Sequence, residues 1–434
     1  MRGILCALTC CVVSVAQQAE WVHSTLPGGA RLSVLHAPDA LRQSTFLFAP
    51  LGLCADPPHC AQFAHLVEHM LIRAVDPGNQ MDIGGIALNG ETGLASMRLE
   101  TIAPPDQWRT AVTRPVHWFA ARSFDQETLT NEKRKIAMEE RNTTANGFTH
   151  KWAGAAWNQV INHGLQHAKV HGDVAAADLT ALRTYVDQHV RWGPGIRIYS
   201  VGPASADSVH EAVAAAIEEY VSDSVRTEPE AHRPPSSPED AKPPADRTAT
   251  WDLPARHYIE FYELPDQSTA TLAAARVFTQ LLSLQLMQVP ELRQQGVQSL
   301  ASLDYRQGQR RLLAISTFLP EKANLEEVQG HIATAIAKAP NEFLARQVVA
   351  QMVTQLAVLP DFAKLRKGLA NPKLAELLEA NLLLQLAMQE QSLGVDLADL
   401  SKTYQSVTFD QIESLVKTQL DPAKRHTLLL QPRR

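Results

Sequence analysis

The sequence predicts an α+β fold of two related halves, each a mainly antiparallel sheet packed with helices. Three observations lead to it. At 434 residues the chain is too long for one core and suits two domains of about 200 residues each. A stretch rich in Pro, Ser and charge, SDSVRTEPEAHRPPSSPEDAKPPADRT at 222–248, divides it as an extended linker. On both sides of that linker strands and helices follow in a similar order. The organisation is therefore a leader at 1–16, a first domain at 17–221, the linker at 222–248 and a second domain at 249–434.

In the first domain, RLSVLHAP (31–38) and STFLFAPLG (44–52) read as strands from their apolar and β-branched content. Residues 61–73 read as a helix, because Phe63, Leu66, Val67, Met70 and Leu71 recur at helical spacing. Residues 82–103 hold Gly-rich turns and then a strand near 94–103. Helices are expected at 106–124, with an irregularity at Pro115, and at 125–144, 151–163, 176–190 and 206–221, with a strand at 196–202. In the second domain, strands are expected at 257–265, 310–320 and 426–432. Helices are expected there at 268–286, 323–338, 340–358, 371–393 and 409–418.

The first sixteen residues have the form of a secretory signal: Arg2, an apolar run from Ile4 to Val15, then small residues ending Ser14-Val15-Ala16. Cleavage is expected after Ala16, with Ala19 as the alternative, and a periplasmic location follows. Cys10 raises lipid anchoring, but Ala7-Leu8-Thr9 is a poor context for it, and an extracellular fate ranks below the periplasm. Past the leader only Cys54 and Cys60 remain, and in an oxidising compartment they are expected to close a small disulfide loop. The net charge of −6, with acids and bases mixed along the chain, lacks the basic surface that nucleic acid requires. No internal run reaches the roughly 18 apolar residues of a membrane span.

AHLVEHMLIR at 64–73 carries the chemistry. Four residues apart on a helix, His65 and His69 lie one turn above each other and can aim their imidazoles at one point. Zinc accepts neutral imidazole nitrogen. Glu68 is offset from that column, as suits a carboxylate acting as general base on zinc-bound water. A catalytic zinc takes a third protein ligand, usually a carboxylate beside two histidines. Residues 125–144 offer Glu132, Glu139 and Glu140. Glu132 and Glu139, seven apart, are offset by about 20° around a helix, whereas Glu140 is rotated about 100° from Glu139. If Ile136 packs this helix inward, Glu139 is the third ligand and Glu132 supports a ligand imidazole. Glu140 is the fallback ligand. A second set, His163, His167 and His171, is four-spaced but contains Gly164 and no carboxylate, and reads as a solvated turn or helix face. Asn142-Thr143-Thr144 matches a glycosylation sequon close to Glu139, where a glycan would be awkward.

HLVEH is an inverted HxxEH zinc motif, and the chain resembles the pitrilysin/insulinase family of metallopeptidases, which includes the mitochondrial processing peptidases. His69-Met70, the turn Gly84-Gly85 with Asn89, and the spacing of Glu132 to Glu139 carry the resemblance, together with the paired halves. It implies a clamshell peptidase with a zinc cofactor and Glu68 as general base. It also implies a peptide substrate that adds as a strand near residues 92–103, and a homologous partner subunit or a homodimer. Asn89 and Arg293 would contact substrate. The family pairs such an Arg with a Tyr seven residues later; here that position is Leu300, or Ser299 after one deletion, and Tyr305 lies further along. The missing Tyr motivates the alternative of a non-cleaving or weakly active subunit.

Overall fold

The structure is a computed structural model that describes residues 21–433 apart from 79–81, 84, 146–149, 171–172, 227–245, 265–266, 308–309, 359–383, 385–386 and 391–392. The expected leader, most of the linker and most of the helix at 371–393 lie outside the described residues.

Apolar alternation in the first half produces strands β1 (Trp21–Thr25), β2 (Arg31–His36), β3 (Gln43–Ala49), β4 (Asp82–Ile83), β5 (Ile86–Thr92) and β6 (Met97–Ala103). After two-residue β7 (His167–Ala168) comes β8 (Arg197–Gly202). Among the described residues these give a seven-stranded sheet in the order β1-β2-β8-β3-β6-β5-β4. The β2–β8 pair is parallel and the other pairs are antiparallel. Helices α1 (Phe63–Val75), α2 (Trp108–Ala120), α3 (Gln126–Ala145), α4 (His150–Trp157), α5 (Leu179–His189) and α6 (Ala206–Tyr220) follow the expected segments. Helix α2 runs through Pro115. One core joins the sheet face of Leu32, Val34, Leu47 and Leu99 to Leu66, Val67, Met70 and Leu71 of α1 and to Ile136 of α3.

The second half contains β9 (Asp246–Trp251), β10 (Arg256–Glu263), β11 (Gln298–Gln307), β12 (Arg310–Leu319) and β13 (His426–Pro432). Its helices are α7 (Thr269–Gln288), α8 (Pro290–Gln294), α9 (Leu325–Lys338), α10 (Glu342–Val358), α11 (Leu397–Gln405) and α12 (Phe409–Gln419). Its sheet runs β11-β12-β10-β13-β9-β7. Strand β7 comes from the first half of the sequence and pairs in parallel with β9. Trp152 and Trp157 of α4 are buried with Trp251, Phe261 and Tyr305 in the same core cluster. Residues 150–168 therefore pack on the second sheet, although the sequence places them in the first domain.

Besides the short strands β1, β4 and β7, which were not expected, three longer strands differ from expectation for identifiable reasons. Strand β5 reads as turns because its inward row, Ile86, Leu88, Gly90 and Thr92, is interrupted by a glycine. Strand β9 is polar and begins at Asp246, within the stretch read as linker. Strand β11, QSLASLDYRQ, is an edge strand with little apolar periodicity. The expected Cys54–Cys60 disulfide is absent: both residues are described and both are thiols. The loop between them is organised instead by Asp56, whose carboxylate accepts the backbone N–H groups of Gln62 (2.7 Å) and Ala64 (2.8 Å).

The loop before α1 is pinned to the tip of the β5–β6 hairpin by Leu53 N–H to Gly93 O (3.0 Å) and Cys54 N–H to Leu94 O (2.8 Å). A Cβ on Gly52 would stand 2.6 Å from Gly93 O, Leu94 O and Ser96 N, so backbone rather than a pliable side chain must move. Gly52→Ala is expected to destabilise the protein by about 1–3 kcal/mol, as overpacking does. Gly330→Ala, on α9 with open space around it, is expected to be neutral or to stabilise by a few tenths of a kcal/mol up to about 1 kcal/mol. Denaturant unfolding of the two variants checks the contrast.

Candidate metal centre

Helix α1 starts where the buried Asp56 carboxylate caps its first N–H groups, after Gln62 in a left-handed turn (φ 69°). A carboxylate placed there also meets the positive end of the helix. At the other end Asp76 accepts from Trp118 Nε1 (2.6 Å) and Arg114 Nη1 (3.2 Å) of α2. Asp56, Asp76 and Thr92 lie outside the pattern that marks the site in the sequence. Their signal is faint, because each works through a partner distant in the chain or through backbone.

Held at both ends, α1 buries its apolar side and presents His65, Glu68 and His69 on its shoulder. Helix α3 lies against it, packed through Leu129 and Ile136, and brings Glu132 and Glu139 to the histidines. Glu139 Oε2 stands 3.5 Å from His65 Nε2 and 3.7 Å from His69 Nε2. One donor atom from each of His65, His69 and Glu139 lies within 4.8 Å of the others. Tetrahedral zinc with ligand bonds near 2.05 Å separates neighbouring donors by about 3.4 Å, close to both of these separations. Two imidazoles and one carboxylate are also a donor set that leaves a fourth position open. Glu139, with a side chain 53% exposed, stands on the accessible side.

Each imidazole is oriented by its other nitrogen. His65 Nδ1 donates to Gln62 Oε1 (3.2 Å), and His69 Nδ1 donates to Glu132 Oε2 (2.9 Å). Both acceptors can only receive, so both Nε2 atoms present lone pairs towards Glu139 when the rings are neutral. Burial, aided by the charge on His69, holds His65 well below its ordinary pKa and keeps it neutral. Burial also works against protonation of His69, but the hydrogen bonds to Glu132 and Glu139 outweigh it and raise its pKa to about 9. Burial pushes Glu68 upward, opposed by the His69 charge and by a hydrogen bond from Thr92. That makes Glu68 a stronger base than a solvated carboxylate.

Thr92 Oγ1 donates to Glu68 Oε2 at 2.6 Å, and both residues are buried. Two residues earlier on β5, a Cβ on Gly90 would overlap the Glu68 carboxylate. Only a glycine lets the strand pass this close to the helix.

Other expected site residues lie elsewhere. Asn89 is next to Gly90, but its amide reaches Glu100 Oε2 (3.4 Å) on the sheet face away from α1. There Arg98 also pairs with Glu91 (2.9 Å) and Glu100 (3.3 Å). Arg293 is exposed on α8 and makes no ion pair with these residues. Ser299 shares a hydrogen bond with Thr317 (3.0 Å). Leu300 is exposed on β11, and Tyr305 is buried with its ring edge-on to Trp157 (5.7 Å). The Glu140 side chain is outside the described groups. Among the four-spaced histidines, His163 Nε2 donates to Asp56 O (2.9 Å) and His167 Nδ1 meets Thr250 Oγ1 (2.9 Å). His171 lies outside the described residues, so the described pair has separate partners and no common focus. Asn142 is exposed near the end of α3.

Comparison with solved structures settles the architecture. A protease from Helicobacter pylori superposes with a TM-score of 0.67, covering 95% of this chain and 100% of its own, at 13% identity. This chain has the pitrilysin-like (M16) peptidase fold. A peptidase M16 inactive domain from Pseudomonas fluorescens matches M16 architecture equally closely, at TM-score 0.66 and 15% identity over 96% of this chain and 98% of that one. Pitrilysin itself gives 0.59 at 14% identity, over 96% of this chain and 45% of pitrilysin. No family model and no curated protein matches the sequence. The fold is thus shared with a protease and with a domain described as inactive. No helix among the described residues is long and apolar enough to cross a membrane.

If His65, His69 and Glu139 form the metal set, Glu139→Gln is expected to lower zinc affinity at least about 10-fold, read by chelator competition. Thr92→Val removes a hydrogen bond to a charged group, worth about 1.5–3 kcal/mol. It is expected to lower kcat roughly 10- to 100-fold with zinc content unchanged, and Thr92→Ser is expected to restore most of the loss.

Proposed function

We propose that this chain is a zinc-dependent peptidase that hydrolyses peptide bonds in peptides or small unfolded proteins, exported to the periplasm by its N-terminal leader. The observation that carries the reading is the convergence of the His65, His69 and Glu139 donor atoms beside a buried Glu68. Zinc, when bound, supplies Lewis acidity for a scissile carbonyl and acidifies water.

The chain's own residues then do the following. His65 and His69, oriented by Gln62 and Glu132, hold the ion with Glu139. Glu68 keeps one oxygen on Thr92 and has the other to take a proton from the attacking water and pass it to the leaving amine. A substrate strand has an edge to join. Among the described residues β4 pairs only with Ile86 and Ala87 of β5, and residues 88–92 beside Glu68 are the edge proposed for a substrate strand. This corrects the expectation of an edge near 92–103: β6 is interior, paired on one side with β3 and on the other with β5.

A second reading, a non-cleaving or weakly active subunit that acts with a homologous partner, is favoured by one feature. Where the resembled family has a tyrosine, the second half offers the exposed Leu300 or, after one deletion, Ser299, bound to Thr317, and Tyr305 is buried in the core. Zinc stoichiometry and turnover of a mixed peptide library separate the two. The expected outcome is one zinc per chain and cleavage by the wild type, with Glu68→Gln retaining zinc and losing cleavage. Full cleavage by Glu68→Gln would sink the assignment; zinc binding without any wild-type cleavage supports the subunit reading.

A further inference from the structure

Glu132 and Glu139 lie seven apart on α3, within about 20° of one another around the helix, so two carboxylates of the same face approach the histidines. Their partners distinguish them. Glu139 has an exposed side chain facing both Nε2 atoms. Glu132 has a side chain 3% exposed and gripped at both oxygens. Its Oε2 accepts from His69 Nδ1 at 2.9 Å. Its Oε1 accepts from Lys135 Nζ at 2.5 Å and lies 3.5 Å from Arg73 Nε.

Arg73 follows His69 by four residues on α1, so one turn of that helix supplies a donor to each oxygen of the carboxylate. Arg73 is itself tethered, through Nη1, to the carbonyls of Asp76 and Gly78 beyond the end of α1. Lys135 reaches back from α3, three residues after Glu132. A carboxylate held by two cations and an imidazole cannot turn towards the metal position without breaking charge-assisted contacts.

We propose that Arg73 and Lys135 are positioning residues that clamp Glu132, orienting His69 and keeping Glu132 from competing with Glu139 as a metal ligand. This rests on the zinc-peptidase reading above. The clamp makes the choice between two carboxylates a property of the α1–α3 crossing. It also predicts that zinc affinity depends on two cations that never touch the ion.

The test is zinc affinity measured by chelator competition on the full chain, alongside thermal unfolding of the metal-free protein. Arg73→Met and Lys135→Met are each expected to weaken zinc binding, and the pair to weaken it about 10- to 100-fold, the usual range for partners of ligand residues. Metal-free unfolding should change little for Lys135→Met. Lys135→Arg is expected to restore affinity, since a cavity of about 360 Å³ lined by Pro77, Thr128, Asn131, Glu132 and Lys135 gives the longer side chain room. In a Glu132→Gln background, which keeps an acceptor for His69 but removes the charge, Arg73→Met should have no further effect on affinity. Equal zinc affinity in wild type and the double variant, or fully additive effects in the Glu132→Gln background, would overturn the clamp and leave the peptidase reading intact. A wild-type chain that takes up no zinc would overturn both.

Discussion

Burying three titratable side chains in a little more than one turn of α1 is the constraint around which the first half is arranged. His65, Glu68 and His69 leave water with the apolar residues beside them, and an unpaired buried polar group is costly. Each is therefore met by a partner from a different element. Gln62 from the start of the helix meets His65, Thr92 from β5 meets Glu68, and Glu132 from α3 meets His69. These three demands fix where the strand and the second helix can lie. They also explain two residues that look out of place locally: Gly90, which interrupts a strand to admit a carboxylate, and Glu132, a buried acid on a helix of low hydrophobicity.

The two halves are not independent bodies joined by a tether. Residues 150–168 cross over to pack on the second sheet, with β7 extending it and two tryptophans of this stretch buried against it. On the other face, Phe46, Phe48 and Tyr199 of the first sheet share a core with Tyr258, Phe278 and Leu313 of the second half. Polar bonds cross there too: Tyr199 donates to the buried Glu390 at 2.9 Å, and Arg31 pairs with Asp396. Around them a cavity of about 270 Å³ is walled by Arg197, Ser96, Asp304 and Arg311 from both halves. The two halves are thus bonded to each other through the first sheet and through Arg31.

Helices such as α1, α6 and α7 were legible because an apolar stripe repeats over several turns and the 3.6-residue period survives changes in context. Of the strands that escaped, β1 and β11 lie at sheet edges, β9 is polar, and β5 is broken by a glycine. Strands β9 and β11 pair on one side or carry polar rows, and β5 has its period interrupted at Gly90, so the alternation that marks a strand is absent from the residues themselves. Cys54 and Cys60 show the opposite error. Their spacing permits a bridge, but the turn between them is shaped by Asp56 capping a helix, which nothing in the spacing reveals.

By itself the sequence determined that His65, Glu68 and His69 share one helix shoulder, that Glu132 and Glu139 share another, and that two α+β halves flank a Pro-rich stretch. Helical geometry relates residues three, four and seven apart whatever surrounds them. Only the tertiary structure decided which carboxylate faces both imidazoles, which strand holds Glu68, and that Tyr305 is buried against Trp157. Those relations join segments tens to hundreds of residues apart, and they are set by how helices and sheets pack rather than by any local period.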